Sequence, residues 1–169
     1  DSGSDDVGPV PLGADICTSP EAWQRHDLEA MLLASRKTGA TMIIGSSGDT
    51  GSNSRVDLFV RIIKELAAKH GLRKFRLGYF YSEVGREFLR AKIRSGDHVT
   101  GLDGRANLTE AELDATARIV AMAGVHPFIE LLKQGADVII GGRSSDAAVF
   151  AAPAIHHGFP ENLSYYLGK

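Results

Sequence analysis

The sequence predicts an α/β fold: a mostly parallel sheet forming the middle of three layers, flanked by helices. Three observations predict it. Residues 40–45 and 136–141 are short apolar runs without alternation, the pattern of strands buried on both faces in parallel sheets. Each run is followed by a Gly/Ser-rich loop and then by helical spacing. Strand-like and helix-like segments also alternate along the whole chain, as in units joined by right-handed crossovers. Three or four strands make a thin sheet for this architecture, so neighbouring segments are expected to complete it, and the 169 residues are read as a single α/β domain, a piece of a larger one.

The elements follow in order. Residues 1–17, rich in Gly, Pro, Ser and Asp, read as loop. Thr18-Ser19-Pro20-Glu21 reads as a capping box opening a helix, whose face carries Leu28, Met31, Leu32 and Ser35 and which Gly39 closes. After the strand at 40–45 and its loop, Val56, Phe59, Val60, Ile63 and Leu66 recur at helical spacing, and His70-Gly71 ends that helix. Residues 75–81 form an aromatic strand, and 83–93 a shorter helix. Residues 95–108 are a polar connector with a brief strand at Val99-Thr100. Thr109-Glu110-Ala111-Glu112 is a second capping box, ahead of Leu113, Ala117 and Val120. Pro127 opens a helix that Gln134-Gly135 stops. The strand at 136–141 leads to a helix from Asp146, which Pro153 bends or ends. Residues 159–169 begin a last helix.

Composition excludes several function classes. The net charge of −2 and the lack of a clustered basic face argue against a nucleic-acid partner; Arg73, Lys74 and Arg76 read as a solvated strand edge. No apolar run approaches the length that crosses a bilayer. The single cysteine, Cys17, forms no intrachain disulfide and suits a reducing cytoplasm; it reads as a small buried hydrophobe before it reads as a nucleophile. Six scattered histidines give no metal-ligand spacing, and adjacent His156 and His157 are expected to point apart on a helix.

Candidate chemistry sits on the two loops. In the first, Gly45-Ser46-Ser47-Gly48-Asp49-Thr50-Gly51-Ser52-Asn53, the glycines permit tight turns and close approach. Ser46, Ser47, Gly48 and Gly51 are candidates for holding a ligand or cofactor, and Asp49 for orienting a sugar hydroxyl, holding a metal or acting as a base. The loop lacks the P-loop lysine and the dinucleotide fingerprint, and the competing reading is a connection whose Asp and Ser residues cap the next helix. In the second, Arg143-Ser144-Ser145-Asp146, Arg143 suits a carboxylate or phosphate, Ser144 and Ser145 a bound group, and Asp146 acid–base work. A structural Arg143–Asp146 pair or a helix cap by Asp146 competes. Glu83, just past the second strand, joins the same edge or serves as a helix N-terminal acid.

Three stretches resemble the N-terminal domain of the acyclic terpene utilisation (AtuA-like) family: Asp1-Ser2-Gly3-Ser4-Asp5 with Gly8-Pro9 and Leu12-Gly13; Ile43-Ile44-Gly45-Ser46-Ser47-Gly48; and, most specifically, residues 135–148 around Gly141-Gly142-Arg143-Ser144-Ser145-Asp146. The resemblance covers essentially the whole chain. It implies a longer parent domain, with a Gly-rich segment before the Asp-x-Gly-Ser motif. It also implies catabolism of branched acyclic isoprenoids such as citronellol and geraniol through acyl-coenzyme A thioesters, with a lyase step on a 3-hydroxyglutaryl-type thioester. Residues 49–53 are more polar than the Gly/Ala-rich stretch of the family, which leaves the substrate open. The expectation is a cytoplasmic enzyme acting on a small anionic substrate, with no particular cofactor specified, assembled as a homo-oligomer or with the rest of its domain. The alternative is a non-catalytic ligand-binding or assembly subunit.

Overall fold

The computed structural model describes residues 2–3 and 8–168. Among them β1 (Met42–Ile44), β2 (Leu77–Phe80) and β3 (Val138–Gly141) form an all-parallel sheet in the order β1-β3-β2. β3 is central and buried along its length, which is why its run shows no polar alternation. Met42, Ile44, Val138 and Ile140 pack on one face against Leu28 and Leu32 of α2 (Glu21–Thr38) and Val56, Phe59 and Ile63 of α3 (Asn53–Lys69). Ile139, with Ile43 and Phe80 beside it, packs on the other face against Phe128 of α6 (His126–Lys133) and Ala148, Ala151 and Ala152 of α7 (Ala148–His156). The three layers expected from the sequence are therefore present, and the carboxyl ends of all three strands lie at one edge.

Several local signals act as expected. Gly39 closes α2 in the left-handed region at φ 78°, which glycine adopts without steric cost. Thr109 caps α5 (Glu110–Ala115) in a full capping box: Glu112 N donates to Thr109 Oγ1 and Thr109 N donates to the Glu112 carboxylate. Thr109→Ala is expected to cost about 1 kcal/mol in urea unfolding, a loss that Thr109→Ser should largely restore.

Other expectations are corrected. Residues 9–14 are not loop but a short helix, α1 (Pro9–Ala14), which its prolines start well. Thr18 does not cap α2; Pro20 occupies the cap position, and both donors of Thr18 go to the Asp49 carboxylate. The helix expected from Glu83 begins only at Arg86, as α4 (Arg86–Arg94), because Glu83 bridges to Val120. Val99-Thr100 forms no strand; Leu108 N donates to Val99 O, and no neighbouring strand extends the pairing. Helical spacing at Ala117 and Val120 is overridden as well. Residues 119–123 are extended because Val84 N donates to Ile119 O, Ala121 N to Ser82 O and Ala123 N to Arg143 O. Pro153 lies inside α7, where burial of Ala148, Val149, Ala151 and Ala152 outweighs the one backbone bond it removes. The rings of His156 and His157 meet edge-on at 5.3 Å, since α7 ends between them. The last helix, α8, runs Glu161–Gly168. Asp1, Ser4 and Asp5 of the opening motif lie outside the described residues.

Candidate functional site

The two loops meet beyond the carboxyl ends of β1 and β3, although 98 positions separate Ser46 from Ser144. Ser46 Oγ donates to Ser144 O at 3.1 Å and accepts from Ser144 N at 3.2 Å. Ser47 Oγ donates to Gly141 O at 2.8 Å, and Arg143 N donates to Gly51 O at 3.0 Å. Ser46, Ser47 and Ser144 are fully buried. The turn that allows this is backbone-driven: Ser46, Gly48, Asp49 and Gly51 all have positive φ, at 46°, 59°, 69° and 63°. Two of them are not glycine, a local strain of the sort that surrounding structure must hold in place.

The backbone donors of the first loop from Ser46 to Asn53 are all taken, most of them by residues outside the loop. Ser46 N and Ser47 N donate to Gly142 O and Gly141 O, Asp49 N to Ser2 O, Thr50 N to Gly48 O and Gly51 N to Ser47 O. Gly48 N donates to Ser2 Oγ, Ser52 N to Thr50 Oγ1, and Asn53 N, at the start of α3, to the Glu83 carboxylate at 2.8 Å. Glu83, rather than the loop's own Asp or Ser, therefore caps α3. Ser46, Ser47, Gly48 and Gly51 form a rigid backing.

The second loop is more open. Arg143 is half-buried, its Nη1 donating to Asp49 O at 3.3 Å. Ser82 Oγ and Ala123 N donate to Arg143 O, and Ser145 N donates to Ala123 O. Ser144 Oγ is buried and makes no hydrogen bond with any described residue. Ser145 is half-buried and Asp146 is exposed. Asp146 neither caps α7, whose cap position is Ala147 without a side-chain bond, nor forms an ion pair with Arg143. The Asp49 carboxylate is held by Thr18.

A charged cluster missed by sequence reasoning surrounds the start of α3. The Asp15 carboxylate accepts from Ser52 Oγ at 2.8 Å and Ser54 Oγ at 2.6 Å, and pairs with Arg55 at 3.3 Å and Arg118 at 3.8 Å. Arg118 Nε reaches Glu83 at 3.3 Å. Cys17 Sγ donates to Gly48 O, and Arg55 Nη1 lies 3.4 Å from that sulfur. The only sequence trace of this cluster is the Ser52-x-Ser54 pair at a helix start. Among the described residues no three His, Cys, Asp or Glu side chains gather as a metal site, and no helix is long and apolar enough to cross a membrane.

Burial pushes the Asp15 carboxyl up, but the hydrogen bonds from Ser54, Ser52 and Arg55 and the Arg55 charge outweigh it and hold it at about 2, against an ordinary 3.8. A depressed folded-state value means that the stabilisation is complete above about pH 4 and is lost as pH falls toward 2. Asp15→Asn is therefore expected to be less stable than the parent chain by about 2 kcal/mol at pH 6. In urea titrations the gap should close as pH approaches 2; a gap independent of pH would show that the carboxylate charge is not what stabilises this corner.

A family model described as "Acyclic terpene utilisation family protein AtuA" matches residues 15–162. No curated protein and no solved structure matches.

Proposed function

This chain belongs to the acyclic terpene utilisation family, and from that premise we propose that it is a cytoplasmic catabolic enzyme that takes a small carboxylate or acyl-thioester at the turn between β3 and α7. The observation that carries this reading is Ser144 Oγ, a fully buried hydroxyl with no hydrogen-bond partner among the described residues, in a turn beside a loop whose backbone N–H groups from Ser46 to Asn53 are already taken. A buried polar group is almost always hydrogen-bonded, so a hydroxyl left unpaired beside a strand's carboxyl end is suited to a ligand. Arg143 supplies the positive charge for a carboxylate or phosphate. Ser145 lines the turn, and Asp146, exposed and in no ion pair with any described residue, is the group available to move a proton. Asp49, by contrast, is a positioning residue: its carboxylate is spent on Thr18 and its carbonyl steadies Arg143.

The test is binding, read by thermal shift and calorimetry against small dicarboxylates and acyl-coenzyme A esters. Ser144→Ala should leave urea stability unchanged or raise it by up to about 1 kcal/mol, since no hydrogen bond is lost, while weakening ligand binding. Arg143→Met should weaken binding of the carboxylate-bearing ligands about tenfold, the scale of one charge-assisted hydrogen bond. Equal affinity in both variants and the parent chain would place the ligand elsewhere.

A further inference from the structure

A cavity of about 290 Å³ opens between α2 and β1. Gln24, Asp27, Leu28 and Met31 line it from α2, at the three- and four-residue spacing that puts side chains on one helical face, and Ile43 and Ile44 line it from β1. Gln24 is more than nine-tenths buried. Its Nε2 donates to Ser19 O at 3.1 Å and to Ser19 Oγ at 3.0 Å, which fixes the amide orientation. Its Oε1 is then a buried acceptor that receives no hydrogen bond from any described residue. The charged side chain at this cavity is Asp27, and no lysine, arginine or histidine lines it among the described residues. The polar lining therefore offers Gln24 Oε1 and the Asp27 carboxylate as acceptors, with the Ser2 and Ser19 hydroxyls beside them, and the remainder is apolar, aliphatic but for Phe59.

We propose that this cavity binds a short aliphatic molecule ending in a hydrogen-bond donor, an amine or a hydroxyl, with the donor on Gln24 Oε1 beside the Asp27 carboxylate and the alkyl part against Leu28, Met31 and Ile44. The volume is at the lower end of small-molecule sites and leaves ample room for a group of about five or six heavy atoms. An anionic end is disfavoured, because it would face two acceptors, Gln24 Oε1 and Asp27, the second of them a like charge. The site does not depend on the β3–α7 reading: neither Arg143, Ser144 nor Asp146 lines it.

The experiment compares four probes of one shape on the full chain by thermal shift: 3-methylbutylamine, 3-methylbutan-1-ol, methyl 3-methylbutyl ether and 3-methylbutanoate. At a probe concentration about a hundredfold above its dissociation constant, the amine and the alcohol should raise Tm by about 5–10 °C. The ether and the carboxylate should not. Gln24→Leu should abolish the rise. Met31→Trp should also abolish it by filling the cavity from an exposed position, so the test survives if Gln24→Leu fails to fold. Arg143→Met should leave the rise unchanged, which separates this site from the one at β3–α7. No rise with any probe, an equal rise with the ether, or a rise that persists in Met31→Trp would overturn the proposal.

Discussion

Gly51→Ala is expected to cost about 4 kcal/mol or more, a loss reserved for changes that break a specific structural requirement. Two independent effects act at this one residue. Its φ of 63° is left-handed, which a residue with a Cβ adopts at a cost of roughly 1–2 kcal/mol. In addition, a methyl group there would stand 2.2 Å from Arg143 N and 2.5 Å from Arg143 Cα. Those are backbone atoms and cannot swing away. The same amide donates to Gly51 O, so relief of the clash also parts the loops. Gly39→Ala isolates the first effect: its φ is 78° and nothing lies within 4 Å of the added carbon. Urea unfolding should give about 1 kcal/mol for Gly39→Ala, and for Gly51→Ala either a several-fold larger loss or no cooperative transition. Equal losses would show that the loops are not locked at this point.

That contrast also marks what could be read in advance. The glycines of the first loop announce a tight turn with close backbone approach, and the apolar runs at 40–45 and 136–141 place both loops at one sheet edge. The meeting of Ser46 with Ser144 follows from that placement. What those hydroxyls do does not follow. The same residue types would serve as a ligand cradle or as mortar, and which applies depends on acceptors supplied by partners far along the chain. Ser2 takes the Asp49 amide, Glu83 takes the start of α3, and Gly141 and Gly142 take Ser47 and Ser46. The Asp15–Arg55–Arg118–Glu83 cluster was illegible for the same reason: its members lie on four separate segments, and each looks locally like an ordinary surface charge. Residues 116–123 show the reverse failure. Their spacing is helical, yet Ser82 and Arg143 offer backbone partners that hold them extended, so tertiary pairing wins over local pattern.

Asp146→Asn is expected to lower turnover of the acyl-thioester or carboxylate substrate at least a hundredfold, the usual scale for removing a general acid or base, with stability unchanged. The stability half follows from the geometry: Asp146 is exposed, caps no helix and joins no ion pair among the described residues, so an isosteric amide removes no ion pair or cap seen there. The activity half follows from elimination within the site. Asp49 is committed to Thr18, Glu83 to Asn53 and Arg118, and Asp15 to Ser52, Ser54 and Arg55. If this turn performs proton transfer, Asp146 is, among the described residues of the two loops and the cluster beside them, the carboxylate that remains to do it. Measuring kcat and ligand affinity separately then decides between the two readings of the chain. A fall in kcat with affinity retained marks an enzyme whose proton-moving group is Asp146. Undiminished turnover removes Asp146 from the chemistry. An absence of turnover in the parent chain, with ligand still bound in the Ser144-dependent manner, assigns the β3–α7 turn to a binding subunit whose reacting groups come from a partner.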